Sequence, residues 1–291
     1  MKQFFMILVV LTLTILVGCN STQNMDSTDQ NQKENRQQET EKKENPEDQK
    51  QENNQAAETN EDEQKTTNRK KETLYRMNDN WLLKPLKEET NDQVVLLTID
   101  DAPKEYAIEM AETLKVLDAP AIFFVNGHFL ETEKQKNVLK KIHEMGFAIG
   151  NHTYNHTRLT EVDSKTQKQE IVKLNDVIKQ ITGETPKFFR APHGANTDHV
   201  KKLVADKGML LMNWTYGYDY FKPYMDAEKL TEAMITGKGP EAGVDYSLLQ
   251  PGANLLMHDR EWTAEALDDI VKGLRDKGYE IADPHTIQLP E

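Results

Sequence analysis

The chain has 291 residues, and its 49 Asp and Glu residues against 36 Lys and Arg residues give a formal net charge of −13 at pH 7. This acidity argues against nucleic acid and against an anionic lipid surface as partners, because both repel an acidic protein. A single cysteine excludes a disulfide framework and a cysteine-rich zinc module. Histidine and carboxylate side chains therefore remain as the metal ligands available to this chain.

The N-terminus carries an apolar run without a charged residue, from residue 4 to residue 17. This run is too short for a membrane-spanning helix of about 20 residues and has the size of a signal-peptide core. Residues 16–19, Leu-Val-Gly-Cys, then resemble the lipobox of bacterial lipoproteins, in which the cysteine is lipidated after cleavage. We predict a lipoprotein signal peptide over residues 1–18 and a lipidated Cys19; a buried or incidental thiol is the alternative.

Residues 20–72 are strongly polar, and their hydrophobic side chains are Met25, Ala56 and Ala57. So few apolar groups cannot form a core that offsets the entropy of the chain. We therefore predict a disordered tether over residues 19–72, with a span of roughly 40 Å, followed by a folded domain over residues 73–291. The anchor and the tether predict a location on the extracytoplasmic face of the bacterial cell membrane, with the folded domain reaching into the cell wall.

From about residue 94, short apolar runs alternate with longer amphipathic stretches. This alternation predicts repeated strand–helix units of a parallel α/β sheet or barrel. The predicted strands cover residues 94–100, 121–126, 147–151, 188–191, 209–214, 254–258 and 279–282. The predicted helices cover residues 104–117, 133–145, 164–181, 197–207, 226–235 and 263–277. Seven strands and six helices favour a βα barrel, although the pattern alone also allows an open doubly wound sheet.

Polar side chains that can bind a metal or transfer a proton cluster at the ends of the predicted strands. They are Asp100, Asp101, His152, His156, Arg190, Asp219 and His258. In parallel α/β proteins the carboxyl ends of the strands form the rim at which ligands bind. We therefore expect these side chains to converge on one site.

Asp101, His152 and His156 are candidates for a metal site. The i, i+4 spacing of the two histidines predicts that they share one face of a helical turn and converge on one ion. Two imidazoles and one carboxylate leave coordination positions for water and substrate, as hydrolysis requires. The alternatives are a turn or helix cap for the aspartates and surface positions for the histidines.

Two further strand ends carry residues suited to catalysis. Arg190 precedes a stiff Ala-Pro turn and could orient a carboxylate, with a structural ion pair as the alternative. His258 ends an apolar strand, and the unperturbed pKa of a histidine suits a general acid near neutral pH. The alternative is a buried histidine whose hydrogen bonds are satisfied. We interpret His128 and His199 as solvated or structural.

Taken in order, these segments resemble the motifs of the polysaccharide deacetylases with the NodB-homology fold, family four of the carbohydrate esterases, over about residues 93–285. The matching segments are Thr98-Ile-Asp-Asp101, His152-Thr-Tyr-Asn-His156, Arg190-Ala-Pro192 and Leu255-Leu-Met-His258, for the first, second, third and fifth motifs. The resemblance implies an irregular (β/α)7 barrel and a divalent metal, usually zinc, with Co²⁺ or Ni²⁺ as alternatives.

The resemblance also implies a role for each motif residue. The implied roles are general base for Asp100, metal ligation for Asp101, His152 and His156, orientation of the base for Arg190, oxyanion binding for the backbone N–H of His193, proton donation to the leaving amine for His258, and a wall of the acetyl pocket for Leu255. These roles together describe hydrolysis of an acetamide.

The first and third motifs depart from the family pattern at one position each. Ala102 stands where a glycine is usual, directly before Pro103. His193 stands where a tyrosine usually follows the proline, and its ring could change substrate packing or reach the metal.

The fourth motif departs furthest. Family members carry an Asp-Trp pair, whereas Asp219-Tyr220 lies one position short of it in our alignment. We predict that Asp219 pairs with His258 and that Tyr220, with Trp214, walls the substrate groove.

The resemblance implies removal of N-acetyl groups from peptidoglycan or chitin-like N-acetylglucosamine polymers, by a protein that we expect to be a monomer. The alternative is a catalytically weak or inactive glycan-binding or wall-stabilising lipoprotein, whose altered third and fourth motifs have cost it activity.

Overall fold

The computed structural model describes residues 71–291. The predicted signal peptide, Cys19 and almost all of the predicted tether lie outside the described residues. The described part begins with a two-stranded antiparallel sheet of β1 (Tyr75–Met77) and β2 (Leu83–Pro85). Leu83 is buried in one cluster with Leu96 of the central sheet, so this small sheet covers part of the core.

A seven-stranded parallel sheet forms the centre of the domain. Its strands are β3 (Val94–Ala102), β4 (Ala121–Val125), β5 (Ala148–Asn151), β6 (Phe188–Phe189), β7 (Leu210–Leu211), β8 (Ala253–His258) and β9 (Glu280–Ile281). Their order is β7-β6-β5-β4-β3-β8, and β9 pairs with the start of β3. The prediction of a parallel βα barrel is confirmed, as an irregular one.

Six α-helices connect these strands. They are α1 (Ala107–Val116), α2 (Glu133–Glu144), α3 (Ser164–Thr182), α4 (Asp198–Asp206), α5 (Ala227–Thr236) and α6 (Glu261–Asp276). Their ends carry local signals: Asp163 caps the start of α3, and Gly183 closes its end with a left-handed φ of 82°. Within residues 71–291, none of the helices has both the length and the apolarity needed to cross a membrane.

The alternation of side chains along β3 positions the site. Leu97 packs in the cluster that contains the buried faces of α1 and α6, whereas Leu96 packs with Phe124 and Phe188 in a second cluster. Because strand side chains point to opposite faces in turn, Thr98 and Asp100 share the side of Leu96. Both of these polar side chains are therefore buried at the carboxyl end of the sheet.

The chain after β7 continues the barrel towards β8. A single parallel bridge joins Tyr216 to Leu255 of β8. The predicted strand over residues 209–214 is shorter in the structure, where the strand covers Leu210–Leu211. The bridge nevertheless sets the register between this irregular segment and β8, and this register matters for the site.

Candidate active site

Asp101, His152 and His156 form a compact group, here called the metal-ligand cluster, at the carboxyl ends of β3 and β5. One ligand atom from each residue lies within 4.8 Å of the other two. Asp101 Oδ1 lies 3.4 Å from His156 Nε2 and 3.9 Å from His152 Nε2. Two imidazole nitrogens and one carboxylate oxygen at these separations fit a single divalent cation with open coordination positions.

The two histidines do not lie on a helical turn, so that prediction from their spacing was wrong. Residues 152–158 form an irregular loop after β5. Thr153 (φ 69°) and His156 (φ 56°) adopt left-handed backbone conformations, which an α-helix does not contain. The spacing sets the length of chain between the rings but not its path, and this loop still brings the ring centroids within 5.1 Å.

Both imidazoles are prepared to act as neutral ligands. His152 Nδ1 lies 2.7 Å from the Arg190 carbonyl oxygen, which leaves Nε2 facing the cluster. Burial lowers the pKa of His152 and outweighs the nearby Asp100, and burial with the neighbouring His152 lowers the pKa of His156 to about 4. Neutral imidazole is the form that ligates a metal.

Asp100 and Arg190 form a buried ion pair, the Asp100–Arg190 pair. Arg190 is fully buried, and its Nη1 donates to Asp100 Oδ1 at 2.7 Å and to Thr98 Oγ1 at 2.8 Å. Burial lowers the pKa of Arg190, and the charge of Asp100 offsets part of this effect. The guanidinium nevertheless stays protonated, because arginine does not lose its proton in proteins. The other oxygen of Asp100, Oδ2, lies 3.6 Å from His152 Nε2. Arg190 therefore holds one oxygen of Asp100 and leaves the second facing the metal-ligand cluster.

His258 and Asp219 form the second ion pair, the His258–Asp219 pair. His258 Nδ1 lies 2.8 Å from Asp219 Oδ1, and the His258 backbone N–H donates to Asp219 Oδ2 at 2.6 Å. Burial acts to lower the pKa of His258, but the charge and hydrogen bond of Asp219 outweigh it and raise the pKa to about 9. The predicted contact between the two side chains is therefore present.

The bridge after β7 explains why the shifted fourth motif still reaches the site. Tyr216 and Leu255 are bridge partners, and Asp219 and His258 each follow their bridge residue by three positions. His258 is also the register partner of Asp100 across β3 and β8. Strand register thus places the candidate base and the candidate acid side by side.

The remaining predicted residues lie around this group. The exposed ring of His193 stacks edge-on against His156 at 5.2 Å, but among residues 71–291 the metal-ligand cluster contains only the three ligands named above. Tyr220 is 41% exposed with its ring centre 5.7 Å from that of His258. Trp214 is half-buried, 5.9 Å from the guanidinium of Arg190, and Leu255 is fully buried in β8.

The two histidines that we interpreted as solvated or structural, His128 and His199, lie outside the metal-ligand cluster and the two ion pairs. His128 Nδ1 lies 3.1 Å from the Tyr154 carbonyl oxygen and its ring packs on Phe129, which agrees with the structural interpretation. His199 is exposed at the start of α4.

Three residues within five positions after His258 contact the site and were not predicted from the sequence. Asp259 is buried and accepts the backbone N–H of Tyr106 at 2.7 Å, which ties the loop after Asp101 to β8. Arg260 Nη2 donates to Asp101 Oδ2 at 3.2 Å, and Thr263 Oγ1 donates to Asp219 Oδ2 at 2.9 Å. For Asp259 and Arg260, the position immediately after a motif histidine was the available signal; Thr263, in the first turn of α6, had no such signal.

The fold and these side chains together define a parallel βα barrel whose rim carries a three-residue metal-ligand cluster beside two ion pairs. Residues 87–212 match the family model described as polysaccharide deacetylase. The matched segment runs from before β3 through β7, and the resemblance of the sequence motifs to the polysaccharide deacetylases is confirmed.

Several known proteins are similar over most of the domain. A peptidoglycan-N-acetylglucosamine deacetylase of Bacillus cereus is 29% identical over 189 residues, which cover 65% of this chain and 66% of that protein. A peptidoglycan-N-acetylmuramic acid deacetylase of Bacillus subtilis is 28% identical, covering 65% of this chain and 69% of that protein. A solved structure of a CE4 family pseudoenzyme from Bacillus anthracis has a TM-score of 0.59 and 27% identity, covering 68% of this chain and 67% of that one.

Proposed function

We propose that this protein removes N-acetyl groups from cell-wall glycan by metal-assisted hydrolysis, with peptidoglycan as the principal substrate. The observation that carries the proposal is the meeting of the metal-ligand cluster, the Asp100–Arg190 pair and the His258–Asp219 pair at one rim of the barrel. Acetamide hydrolysis needs a base, an acid and an electrophilic group that polarises the carbonyl; this rim offers a candidate base, a candidate acid and the ligands for a metal that would polarise it. The relatives named as peptidoglycan deacetylases support the choice of substrate.

The metal-ligand cluster is suited to zinc, with Co²⁺ or Ni²⁺ as alternatives that accept the same nitrogen and oxygen donors. When bound, such an ion would acidify a water molecule and polarise the acetyl carbonyl. Burial and the tautomer of His152 support this assignment because they keep the ligand nitrogens free of protons.

Asp100 acts as the general base in this proposal. It takes a proton from the attacking water through the oxygen that Arg190 does not hold. Arg190 favours the ionised form of Asp100 because a cation at 2.7 Å stabilises the carboxylate. The water oxygen becomes part of the released acetate as the amide C–N bond breaks.

His258 acts as the general acid for the departing amine. Asp219 holds the Nδ1 side of the ring, so Nε2 is the atom that donates the proton. A pKa of about 9 keeps this imidazole protonated at neutral pH. The backbone N–H of His193 is the proposed donor to the oxyanion. The edge-on contact of the His193 ring with the His156 ring supports this role, because His156 belongs to the metal-ligand cluster.

The proposed setting is the outer face of a bacterial membrane. The lipobox at residues 16–19 and the polar tether over residues 19–72 support a lipid-anchored protein that reaches into the wall. Tyr220 and Trp214 offer aromatic surface at the edge of the site, on which sugar rings can pack. Leu255 is the proposed wall of the acetyl pocket.

A second candidate function is a wall-binding protein with little or no turnover. The similar structure of a CE4 family pseudoenzyme favours it, as does the replacement of the usual tyrosine by His193. The two candidates differ in what Asp100 contributes, because only the enzyme needs a general base.

The test is acetate release from N-acetylglucosamine oligomers and from purified peptidoglycan by the wild-type protein and by Asp100→Asn. The enzyme predicts release by the wild type and a loss of about 10²–10⁴-fold in the variant, the usual contribution of a general base. Equal zinc content in both proteins would show that the site stays intact. If the wild-type protein releases acetate from neither glycan, the result would instead favour the wall-binding candidate.

A further inference from the structure

The loop that carries both histidine ligands has an unfavourable backbone. Thr153 and His156 have φ angles of 69° and 56°, and a β-branched threonine rarely adopts this left-handed region. No regular structure holds residues 152–158 in place. Contacts from outside the loop must therefore keep the two rings together.

The two ends of this loop are held by different elements. At the His152 end, Asn126 Nδ2 donates to the His152 carbonyl oxygen at 2.6 Å, and the Thr153 N–H donates to Asn151 Oδ1 at 2.8 Å. The His152 side chain is almost fully buried at 3% exposure. The His156 side chain is 31% exposed and has much less packing around it.

Glu170 of α3 holds the His156 end. Its carboxylate accepts the Asn155 backbone N–H at 2.7 Å through Oε2 and Asn155 Nδ2 at 2.6 Å through Oε1. The Glu170 carbonyl oxygen accepts the Tyr154 N–H at 3.0 Å. One residue therefore receives three donors from the segment directly before His156, and it is only 6% exposed.

We propose that Glu170 is a positioning residue of the metal site, which sets metal affinity by holding Asn155 and so fixing the place of His156. This inference rests on the proposed function, since it needs a metal at the metal-ligand cluster. A buried carboxylate keeps its hydrogen bonds because burial without them is costly. Without Glu170 the left-handed segment is free to relax, and His156 leaves the position from which it meets Asp101.

The contact between Glu170 and Asn155 can be tested by exchanging its carboxylate and its amide, since Glu170→Gln and Asn155→Asp nearly preserve side-chain shape. In Asn155→Asp two carboxylates face each other and repel. In Glu170→Gln the new amide donates to Asn155 once the Asn155 amide rotates, so both hydrogen bonds persist. In the double variant the Gln amide donates to the Asp carboxylate and restores the contact. Asp176→Ala, at an exposed carboxylate on the same helix, is the matched control.

The experiment measures zinc affinity of the full-length variants by competition with a chelator, together with amide hydrogen exchange of residues 154 and 155 in the metal-free proteins. We expect zinc affinity about 10-fold weaker in Glu170→Ala and Asn155→Asp, the lower end of the effect of outer-shell substitutions. Glu170→Gln, the double variant and Asp176→Ala should bind zinc as the wild type does. Exchange should be faster only in the two weakened proteins.

Unchanged zinc affinity in both Glu170→Ala and Asn155→Asp would overturn the proposed role of Glu170 and leave the proposed function standing. Failure of Glu170→Gln to restore the affinity of Asn155→Asp would also overturn it, because a general loss of stability would not be repaired by this exchange. If Glu170→Ala does not fold, the near-isosteric variants still decide the question. Absence of zinc binding by the wild type would instead refute the metal site, and with it both proposals.

Discussion

The two ion pairs of the site are built alike but serve opposite ends of the proposed reaction. In the Asp100–Arg190 pair the carboxylate is the working group and the cation orients it. In the His258–Asp219 pair the imidazole is the working group and the carboxylate orients it. In both, the orienting side chain is fully buried, with 0% exposure for Arg190 and for Asp219. Side chains of opposite charge thus perform the same task, which is to hold one side of the partner that acts in the proposed reaction.

The difference between the pairs lies in how the orienting group is satisfied. Arg190 is held by Thr98, Asp100 and the Asn213 carbonyl oxygen, and its Nε has no hydrogen-bond partner. Both oxygens of Asp219 accept hydrogen bonds, from His258 and from Thr263. Removal of Arg190 leaves the buried Asp100 carboxylate without its counter-charge, whereas neutralisation of Asp219 keeps an oxygen that accepts hydrogen bonds, so we expect the first change to damage the fold more.

The largest effect is expected from Arg190→Leu. It leaves Asp100 buried without a counter-charge, and breaking a buried ion pair from one side costs about 3–5 kcal/mol of the free energy of unfolding. Urea denaturation of the variant should show this loss, and acetate release should disappear. Lys201→Leu, at an exposed surface pair, is the control. A loss for Arg190→Leu as small as that of the control would contradict the importance given to the buried pair.

The next effect is expected from Asp219→Asn. The variant keeps the size of the side chain but removes the charge that orients His258 and stabilises its protonated form, so acetate release should fall on the order of 10²-fold. Zinc content should not change, because Asp219 does not belong to the metal-ligand cluster. A variant with wild-type turnover would show that His258 needs no buried carboxylate, and the likeness between the two pairs would be lost.

A smaller effect concerns the pH dependence of stability in the metal-free protein. The folded-state pKa of His258 is raised to about 9, above an unfolded value of about 6.5. The stability contributed by the His258–Asp219 pair is therefore fully present below pH 6.5 and is lost as the pH rises through 9. The melting temperature of the wild type should fall between about pH 6.5 and pH 9 relative to that of Asp219→Asn. Parallel curves for the two proteins would contradict the raised pKa.

The smallest effect is expected from Arg260→Ala. Arg260 contacts Asp101 from a position where its side chain is 35% exposed, so water replaces most of the interaction. Such pairs contribute about 0.2–1 kcal/mol, and zinc affinity should weaken by no more than about 5-fold. A loss as large as 100-fold would show that exposure of the orienting group does not decide its contribution.

The parts of the site on regular strands could be predicted from the sequence. Asp100 ends an apolar run that becomes β3, and His258 ends the run that becomes β8, so both positions follow from hydrophobic patterning. The contact between Asp219 and His258 was also predictable from the motif order, although the register that creates it was visible only in the structure.

The histidine loop could not be predicted in the same way. Its path depends on left-handed backbone conformations at Thr153 and His156 and on hydrogen bonds to α3. Hydrophobic periodicity in the sequence indicates neither of these features. The i, i+4 spacing of the two histidines suggested a helical turn, but an irregular loop can bring two rings with the same spacing together. Glu170 carried no signal of its own, since a glutamate within a helix is usually a solvent-exposed charge.

The central claim is that this rim of the barrel hydrolyses N-acetyl groups with the help of a metal. The most direct test is acetate release from purified peptidoglycan by the wild-type protein before chelation, after chelation and after zinc is restored, with bound zinc quantified in each state. The account predicts about one zinc per chain, with release that stops on chelation and returns with zinc. Acetate release that persists after all metal is removed, or its absence from fully zinc-loaded protein, would contradict it.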